Sequence, residues 1–452
     1  MAETRQIILS AALMHGLGNQ AGAWRVRKEP ASDFLSPDYY AHLARKAEEG
    51  KLHVLFLAEQ AAHGASPASR PIGSMDTVSV LSFMAGLTSR VGLVGTGSTT
   101  YNTPFDLARR FATLDHLANG RVGWNSVTSA IATTGAQFGV THPEAEDRYA
   151  RADEFIDVVA ALWESWEADA LVDDKANGTF ADPAKIHEIN HVGPHFSVQG
   201  PLSLPRSRQG RPIIFHAGSS PPGRDQAARC ADVVFTAQHT LEGAQQFRAD
   251  IRARAEAYGR DPDRIKVTPG INMVLGRTLA EAEDRKAAID NAQSVEEQIR
   301  RLSALSGLDV GLLRDNLDNP LPVEALPSDA RFNSGTGWRQ SMVDLATREK
   351  LTVRQLLSRS PSGHHHVIGT AEMVADAMME RLEAGAADGF TMMVDILPSG
   401  LDDIVELLVP ELQRRGIFHR DYEHELLRDS LGIGPARPIP KAMPRPVAAT
   451  AA

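Results

Sequence analysis

The chain has 452 residues, 42% hydrophobic and 23% charged, the balance of a globular protein with an extensive core. Its net charge of -10 argues against a nucleic-acid partner, which would favour a basic face. The single cysteine, Cys230, rules out an intrachain disulfide, and no apolar run reaches the length of a membrane span, so a cytoplasmic protein is expected.

Short β-branched, apolar runs alternate with longer helical patterns. The first run, "QIILSAAL" (6–13), lacks the cationic flank and cleavage site of a signal peptide and reads as a strand. A helix follows over "SPDYYAHLARKAEEGK", with Ser36 as N-cap and Pro37 at its first position. Next come the strands "HVLFLAE" (53–59) and "VGLVGTGST" (91–99), then a helix from Thr103 and Pro104 to a stop at Asn119-Gly120. "RVGWNSV" (121–127) precedes a helix in which Tyr149, Ala152, Phe155, Ile156 and Val159 recur at helical spacing. "PIIFHAG", "DVVFTAQ", "KVTPGINMVL" and "GFTMMVDI" complete eight candidate strands.

These runs are continuously apolar rather than alternating, as in a parallel sheet covered on both faces. Strand-then-helix repeated eight times predicts an α/β protein, a (β/α)₈ TIM barrel, with a doubly wound open sheet as the alternative. The barrel is expected to span residues 1–433 as a single domain. Long insertions near 167–209 and 279–366 are expected over its mouth. The Pro- and Ala-rich tail, 434–452, is expected to be disordered or draped on a neighbouring subunit.

In such a barrel, chemistry gathers at the C-terminal strand ends. Those ends carry His15, Glu59, Thr96 with Ser98, Asn125 to Ser129, Ser219 with Ser220, Gln238 and Asp395. Asn125, Ser126 and Thr128 are expected at the mouth. "AGSS" before a helix start reads either as an anion site or as an ordinary turn with a serine cap. Glu59 reads as a general base, a loop cap or a ligand contact. His15 reads as a pocket acid or a satisfied barrel histidine. Three adjacent histidines, His364 to His366, do not converge on one metal ion from a strand or helix, so no metal is expected. Cys230 reads as a small buried hydrophobe. Walker A and GxSxG patterns are absent, and "GLVGTGSTT" lacks the order of a dinucleotide fingerprint.

The block "VGLVGTGSTTYNTPFDLARRFATLDHLANGRVGWNSVTS" closely resembles the bacterial luciferase-like flavin monooxygenases. The branch it resembles contains the nitrilotriacetate, EDTA, dibenzothiophene-sulfone and pristinamycin-forming monooxygenases. "HPEAEDRYARADEF", "FHAGSSPPGRDQAARCADVVF", "VIGTAEMVADAM", "GAADGFTMM" and "VPELQRRGIFHRDYEHELLRDSLG" extend the likeness nearly to residue 433.

The resemblance implies a two-component monooxygenase. It takes reduced FMN (FMNH₂) from a separate NAD(P)H:flavin reductase, adds O₂ to form a flavin peroxide, and oxygenates a small organic substrate. It also implies a homodimer or homotetramer. By matching position it places Glu59, Thr96 and Asn125 at the flavin ring, and Tyr149, Ser219 and Ser220 at its phosphate, with Arg148 as a further candidate. His15 becomes the candidate proton or peroxide contact. Glu59 stands where the branch has Asp, and Ala145 where it often has His; His142 is a possible substitute. Trp24, Arg25 and Arg27 are candidates for covering the pocket or meeting an anionic substrate, or for a solvated loop. A deazaflavin-dependent oxidoreductase and a nonenzymatic flavin-binding protein on the same barrel are the alternatives.

Overall fold

The structure, a computed structural model, describes residues 6–13, 17–59, 61, 75–328, 336–359 and 363–443. Its strands, in chain order, are β1 (Ile8–Leu13), β2 (Val54–Leu57), β3 (Gly92–Ser98) and β4 (Val122–Val127). Four short strands follow, β5 (Leu171–Asp174), β6 (Thr179–Ala181), β7 (His191–Val192) and β8 (Ser197–Val198). The rest are β9 (Ile213–Ala217), β10 (Val233–Thr236), β11 (Lys266–Leu275), β12 (His365–Gly369) and β13 (Gly389–Val394).

All eight predicted barrel strands form. Parallel pairing runs β1-β2-β3-β4-β9-β10-β11-β13, and β13 pairs back to β1. The sheet therefore closes, and the open-sheet alternative is set aside. β12 was not anticipated. It pairs with the second half of β11, on the edge that β10 leaves free after Pro269. Its sequence, "HHVIG", is short and opens on polar histidines, so it gave no apolar run.

Strand alternation divides the core into two layers. Val54, Phe56, Val94, Phe215 and Val233 form one cluster with Leu427, Leu431 and Ile433, which stopper the barrel base. Their neighbours Leu55, Leu93, Trp124 and Ile214 belong to the cluster shared with the helices. Trp124 is fully buried against Phe111, Phe155 and Trp163, and its indole N–H donates to the Gly97 carbonyl at 3.0 Å. A Cβ on Gly97 would lie 2.8 Å from the indole nitrogen, so this close approach requires glycine.

Local signals act largely as their chemistry dictates. The Ser36 hydroxyl accepts from the Asp38 N–H at the start of helix Pro37–Glu49. Helix Pro104–Leu117 begins after Thr103 as expected, but the threonine side chain makes no capping bond. Asn119 and Gly120, both at positive φ, turn the chain into β4.

The two insertions differ in placement. Residues 167–209 follow helix Ala145–Trp163 rather than a strand, so they pack on the barrel's flank. There Glu154 accepts hydrogen bonds from His191 and from the backbone N–H groups of His195 and Phe196. The expectation that this insertion covers the mouth is corrected accordingly. Residues 279–366 do follow a strand, β11. They build helices with their own apolar cluster, including Leu302, Leu313, Leu345 and Leu356. Arg285 joins that insertion to the barrel through a bidentate pair with buried Asp395, at 2.6 and 3.0 Å. Asp395 is thus a structural anchor. The tail as far as Met443 also departs from expectation, because it lies against its own chain. Arg211 and Arg229 donate to the carbonyls of Arg437 and Pro440 at 3.4 and 2.9 Å.

Candidate active site

A cavity of about 570 Å³ opens at the C-terminal ends of the strands, a size that suits a cofactor or small substrate. Seven of the eight barrel strands contribute to it: Ala12, Phe56, Thr96, Asn125, Ala217, Phe235 and Thr391 come from β1, β2, β3, β4, β9, β10 and β13. Apolar and aromatic groups make most of the wall. No residue of either insertion lines the cavity among the described residues.

Thr96 and Asn125 face each other across the β3–β4 pair, in register. The Asn125 amide donates to Thr96 Oγ1 at 3.0 Å, and Thr96 donates to the Leu57 carbonyl at 3.2 Å. This chain commits the threonine hydroxyl hydrogen and one amide hydrogen of Asn125 and fixes the rotamers. Asn125 Oδ1 is buried and makes no hydrogen bond within the chain. A buried acceptor without a donor is unfavourable by about 1–3 kcal/mol, so Oδ1 keeps unused accepting capacity beside the cavity.

Period-two alternation explains the polar end of β4. Asn125 and Val127 face the cavity, whereas Ser126 points outward and meets His216 Nδ1 at 3.3 Å. The expectation that Ser126 reaches the mouth is therefore corrected. Burial holds the His216 pKa down, at about 4, so the imidazole is neutral. Beyond the strand, the Thr128 carbonyl accepts from Thr100 at 2.8 Å, and Ser129 donates to Ser98 Oγ at 2.7 Å. Ser129 adopts a left-handed backbone (φ 49°) to turn along the cavity rim.

Glu59 lies at the rim beside Asp76 and Arg110. Burial, reinforced by Asp76 and opposed by Arg110, raises its pKa to about 7. Its carboxyl therefore changes charge near neutrality.

Tyr149, Ser219 and Ser220 converge in a separate cluster just beyond Ala217. The Tyr149 hydroxyl lies 3.1 Å from Ser220 Oγ, and Ser219 Oγ lies 3.0 Å from Thr236 Oγ1. Ser220 also caps helix Pro221–Cys230 by accepting from the Gly223 N–H. A Cβ on either Gly218 or Gly223 would sit 3.0 Å from the other's Cα, so paired glycines let this turn close. Two hydroxyls and a phenol thus sit at a helix N-terminus, a setting that suits an anion.

Several candidates take other roles. His142 does not join that cluster. It bridges Tyr101 and Arg148: its Nδ1 lies 2.5 Å from the Tyr101 hydroxyl, and its Nε2 faces the Arg148 guanidinium. Arg27 is buried in pairs with Asp33 and Glu29 and serves packing rather than a solvated loop, whereas Arg25 is exposed and donates to the Ala292 carbonyl at the surface. Gln238 donates to Thr236. His15 lies outside the described residues. Cys230 is buried, and burial pushes its thiol up to about 12, consistent with an inert packing group. His364 to His366 lie at or beside β12, and among the described residues no group of three potential ligands is arranged around a metal site.

Sequence reasoning missed Tyr101 and His216. His216 was signalled by a lone polar residue inside the apolar run "PIIFHAG". Tyr101 followed β3 by only three residues, but nothing local tied it to His142, 41 positions away.

The comparisons agree with this geometry. The luciferase-like monooxygenase family model matches residues 15–388. The chain is similar to the N-acetyl-S-(2-succino)cysteine monooxygenase of Bacillus subtilis, with 40% identity over 439 residues, covering 96% of this chain and 98% of the other. It is 42% identical over 436 residues to nitrilotriacetate monooxygenase component A of Aminobacter aminovorans, covering 93% and 95%. Among solved structures it resembles a riboflavin lyase crystallised with modified FMN and riboflavin, with a TM-score of 0.80 and 33% identity over 94% of this chain and 96% of that one. The chain belongs to the luciferase-like monooxygenase family and is a flavin-dependent monooxygenase.

Proposed function

We propose that the protein is the oxygenase component of a two-component system that binds reduced FMN in the strand-end cavity and uses O₂ to oxygenate a small organic substrate. The observation that carries this reading is the buried, unbonded Asn125 Oδ1 on a mainly apolar wall, with a hydroxyl cluster nearby at a helix start. A flat ring with polar edges and a phosphate tail fits that donor and acceptor set. Thr96 and Asn125 would hold the ring edge, and Tyr149, Ser219 and Ser220 the phosphate. Arg148 is turned toward His142, and Ala145 supplies no polar group at the phosphate end. Reduced FMN, when bound, supplies the electrons that activate oxygen.

The chain's own tasks are to orient and to exclude water. Phe56, Phe235 and Met393 keep the cavity floor apolar. Arg148 can only donate, so its contact with His142 Nε2 assigns the imidazole hydrogen to Nδ1, which donates to the Tyr101 oxygen. The Tyr101 hydroxyl hydrogen is thereby left for the cavity that the tyrosine lines. Stacking on Phe138, with ring centroids 4.8 Å apart, fixes the phenol. Tyr101→Phe should lower kcat/KM about 3- to 10-fold while leaving reduced-FMN affinity within about 2-fold. Steady-state kinetics beside an anaerobic titration check this, and an equal loss of flavin binding would reassign Tyr101 to the cofactor.

Glu59 gives a pH signature. Its folded-state pKa is raised, so between its ordinary value of 4.5 and about 7 the folded protein holds a proton that the unfolded chain has lost. Its contribution to stability therefore falls as pH rises through that window and stays low above it. Melting temperatures of wild type and Glu59→Gln, measured from pH 4 to 9, should diverge across the window, the wild type losing relative stability. Parallel curves would contradict this assignment.

A separate NAD(P)H:flavin reductase, homo-oligomeric assembly and a cytoplasmic setting belong to the same proposal. The "component A" relative supports the separate reductase, the single buried cysteine supports the cytoplasmic setting, and the assembly follows from the family resemblance alone. No described helix is long and apolar enough to cross a membrane. The function is tested by supplying FMN, a reductase, NADH and ¹⁸O₂ with a panel of aminopolycarboxylates, thioethers and sulfones. One ¹⁸O atom in a product, dependent on all components, is the expected result. Flavin oxidation that yields only hydrogen peroxide across the panel would count against the proposal.

A further inference from the structure

At the opposite end of the barrel, a second and much smaller cavity of about 100 Å³ lies beneath the N-terminal ends of β9, β10 and β11. Arg211 precedes β9, Asp232 precedes β10, and Arg260 to Arg264 precede β11. The tail from Pro435 to Pro440 forms the remaining wall. Five arginines line this space, Arg211, Arg229, Arg260, Arg264 and Arg437, against two aspartates, Asp232 and Asp261.

The hydrogen-bond inventory is unbalanced. Arg260 is satisfied by the Ala228 and Ala231 carbonyls, both at 2.7 Å. Arg229 reaches Asp157 and Asp153 at 2.6 and 3.2 Å and the Pro440 carbonyl. Arg211 has only ion-pair distances of 3.5 and 3.6 Å to Asp232 and Glu164, besides its long bond to the tail. Four buried guanidinium nitrogens make no hydrogen bond: Arg211 Nε and Nη1, Arg229 Nε and Arg264 Nη1. The Arg211 side chain is only 3% exposed and that of Arg229 1%, so bulk water does not solvate them. Donors buried without acceptors are unfavourable, and more so on charged groups.

We propose that this cavity holds a small tetrahedral oxyanion, phosphate or sulfate, between Arg211, Arg229 and Arg264, and that the anion fastens the C-terminal segment to the barrel base. The volume accommodates one such ion or about three waters. An oxyanion supplies acceptor atoms to donors that now make no hydrogen bond, two of which, Arg211 Nε and Nη1, have carboxylates only at ion-pair distance, and guanidinium groups bind such ions through charge-assisted, directed bonds. Asp232 and Asp261, together with Asp153, Asp157 and Glu164 against the same arginines, offset most of the positive charge, which matches a single anion rather than a polyphosphate. Arg264 also packs on Gly434, whose added Cβ would lie 2.7 Å from Nη2, so the anion site and the tail share a wall. The site is independent of the flavin phosphate cluster, which lies at the other end of β9.

The test uses the full-length protein at fixed ionic strength, with phosphate or sulfate exchanged for chloride. Wild type should show a saturable rise in melting temperature of about 1–2 °C. Trypsin cleavage after Lys441 should slow several-fold in parallel. Arg264→Gln should lose both responses. Ser219→Ala, altered only at the flavin phosphate cluster, should keep them. A response that follows ionic strength whatever the anion would mean that water fills the cavity, and it would overturn the proposal. So would an unchanged phosphate response in Arg264→Gln.

Discussion

Replacing Trp124 by alanine is expected to lower the unfolding free energy by about 3–5 kcal/mol, the usual range for deleting a large buried aromatic group. The side chain is fully buried and touches three further aromatic rings contributed by two helices. Its removal opens a cavity between barrel and helix layer and leaves the Gly97 carbonyl without its indole donor. Gly97 and Trp124 sit on the two strands that carry Thr96 and Asn125, so loosening this contact should also blur the cavity floor. Urea denaturation measures the first effect. A loss below about 1 kcal/mol would mean that the helices collapse onto the gap, and that the indole does not hold β3 and β4 in place.

Asn125→Leu is expected to weaken reduced-FMN binding about 10- to 100-fold, with little loss of fold stability. Leucine matches asparagine in shape but removes both the donor to Thr96 and the buried Oδ1. Each lost hydrogen bond to a ligand is worth about 0.5–1.5 kcal/mol, and leaving a ligand N–H buried without an acceptor adds about 1–3 kcal/mol. Thr96 retains its bond to the Leu57 carbonyl, so the strand ends should stay closed. Anaerobic titration, followed by flavin fluorescence, reads the change. Unaltered affinity would remove Asn125 from the flavin site and shift the ring toward the Glu59 side of the cavity.

Much of the architecture was legible in the chain because its signals are local. Eight apolar runs, each bounded by polar caps and glycines, specify eight barrel strands. Their uninterrupted hydrophobicity says that both faces are covered. β12 escaped because its pairing with β11 depends on where β10 ends, a tertiary circumstance with no periodic trace. The placement of the 167–209 insertion was misjudged for a related reason. Whether a loop covers the mouth depends on whether it leaves a strand or a helix, and here it leaves helix Ala145–Trp163.

The candidate site divides similarly. Thr96 and Asn125 stand out as polar residues at the ends of apolar runs, and Ser219 and Ser220 as small residues before a helix. Ser126 was misplaced because adjacent residues on a strand face opposite sides. The role of Arg27 and the Tyr101–His142–Arg148 chain depend on partners brought together only by folding. Asp395, polar at a strand end, looked like a site residue until its pairing with Arg285 was visible.

The most direct test of a flavin bound with its phosphate at the β9 helix start is an anaerobic comparison of reduced FMN with reduced riboflavin, which lacks the phosphate. Wild type should bind reduced FMN at least about 10-fold more tightly, and Ser219→Ala should lose most of that difference. Equal affinities for the two flavins in wild type, or a preference that Ser219→Ala leaves intact, would contradict the assignment of Tyr149, Ser219 and Ser220 to the phosphate.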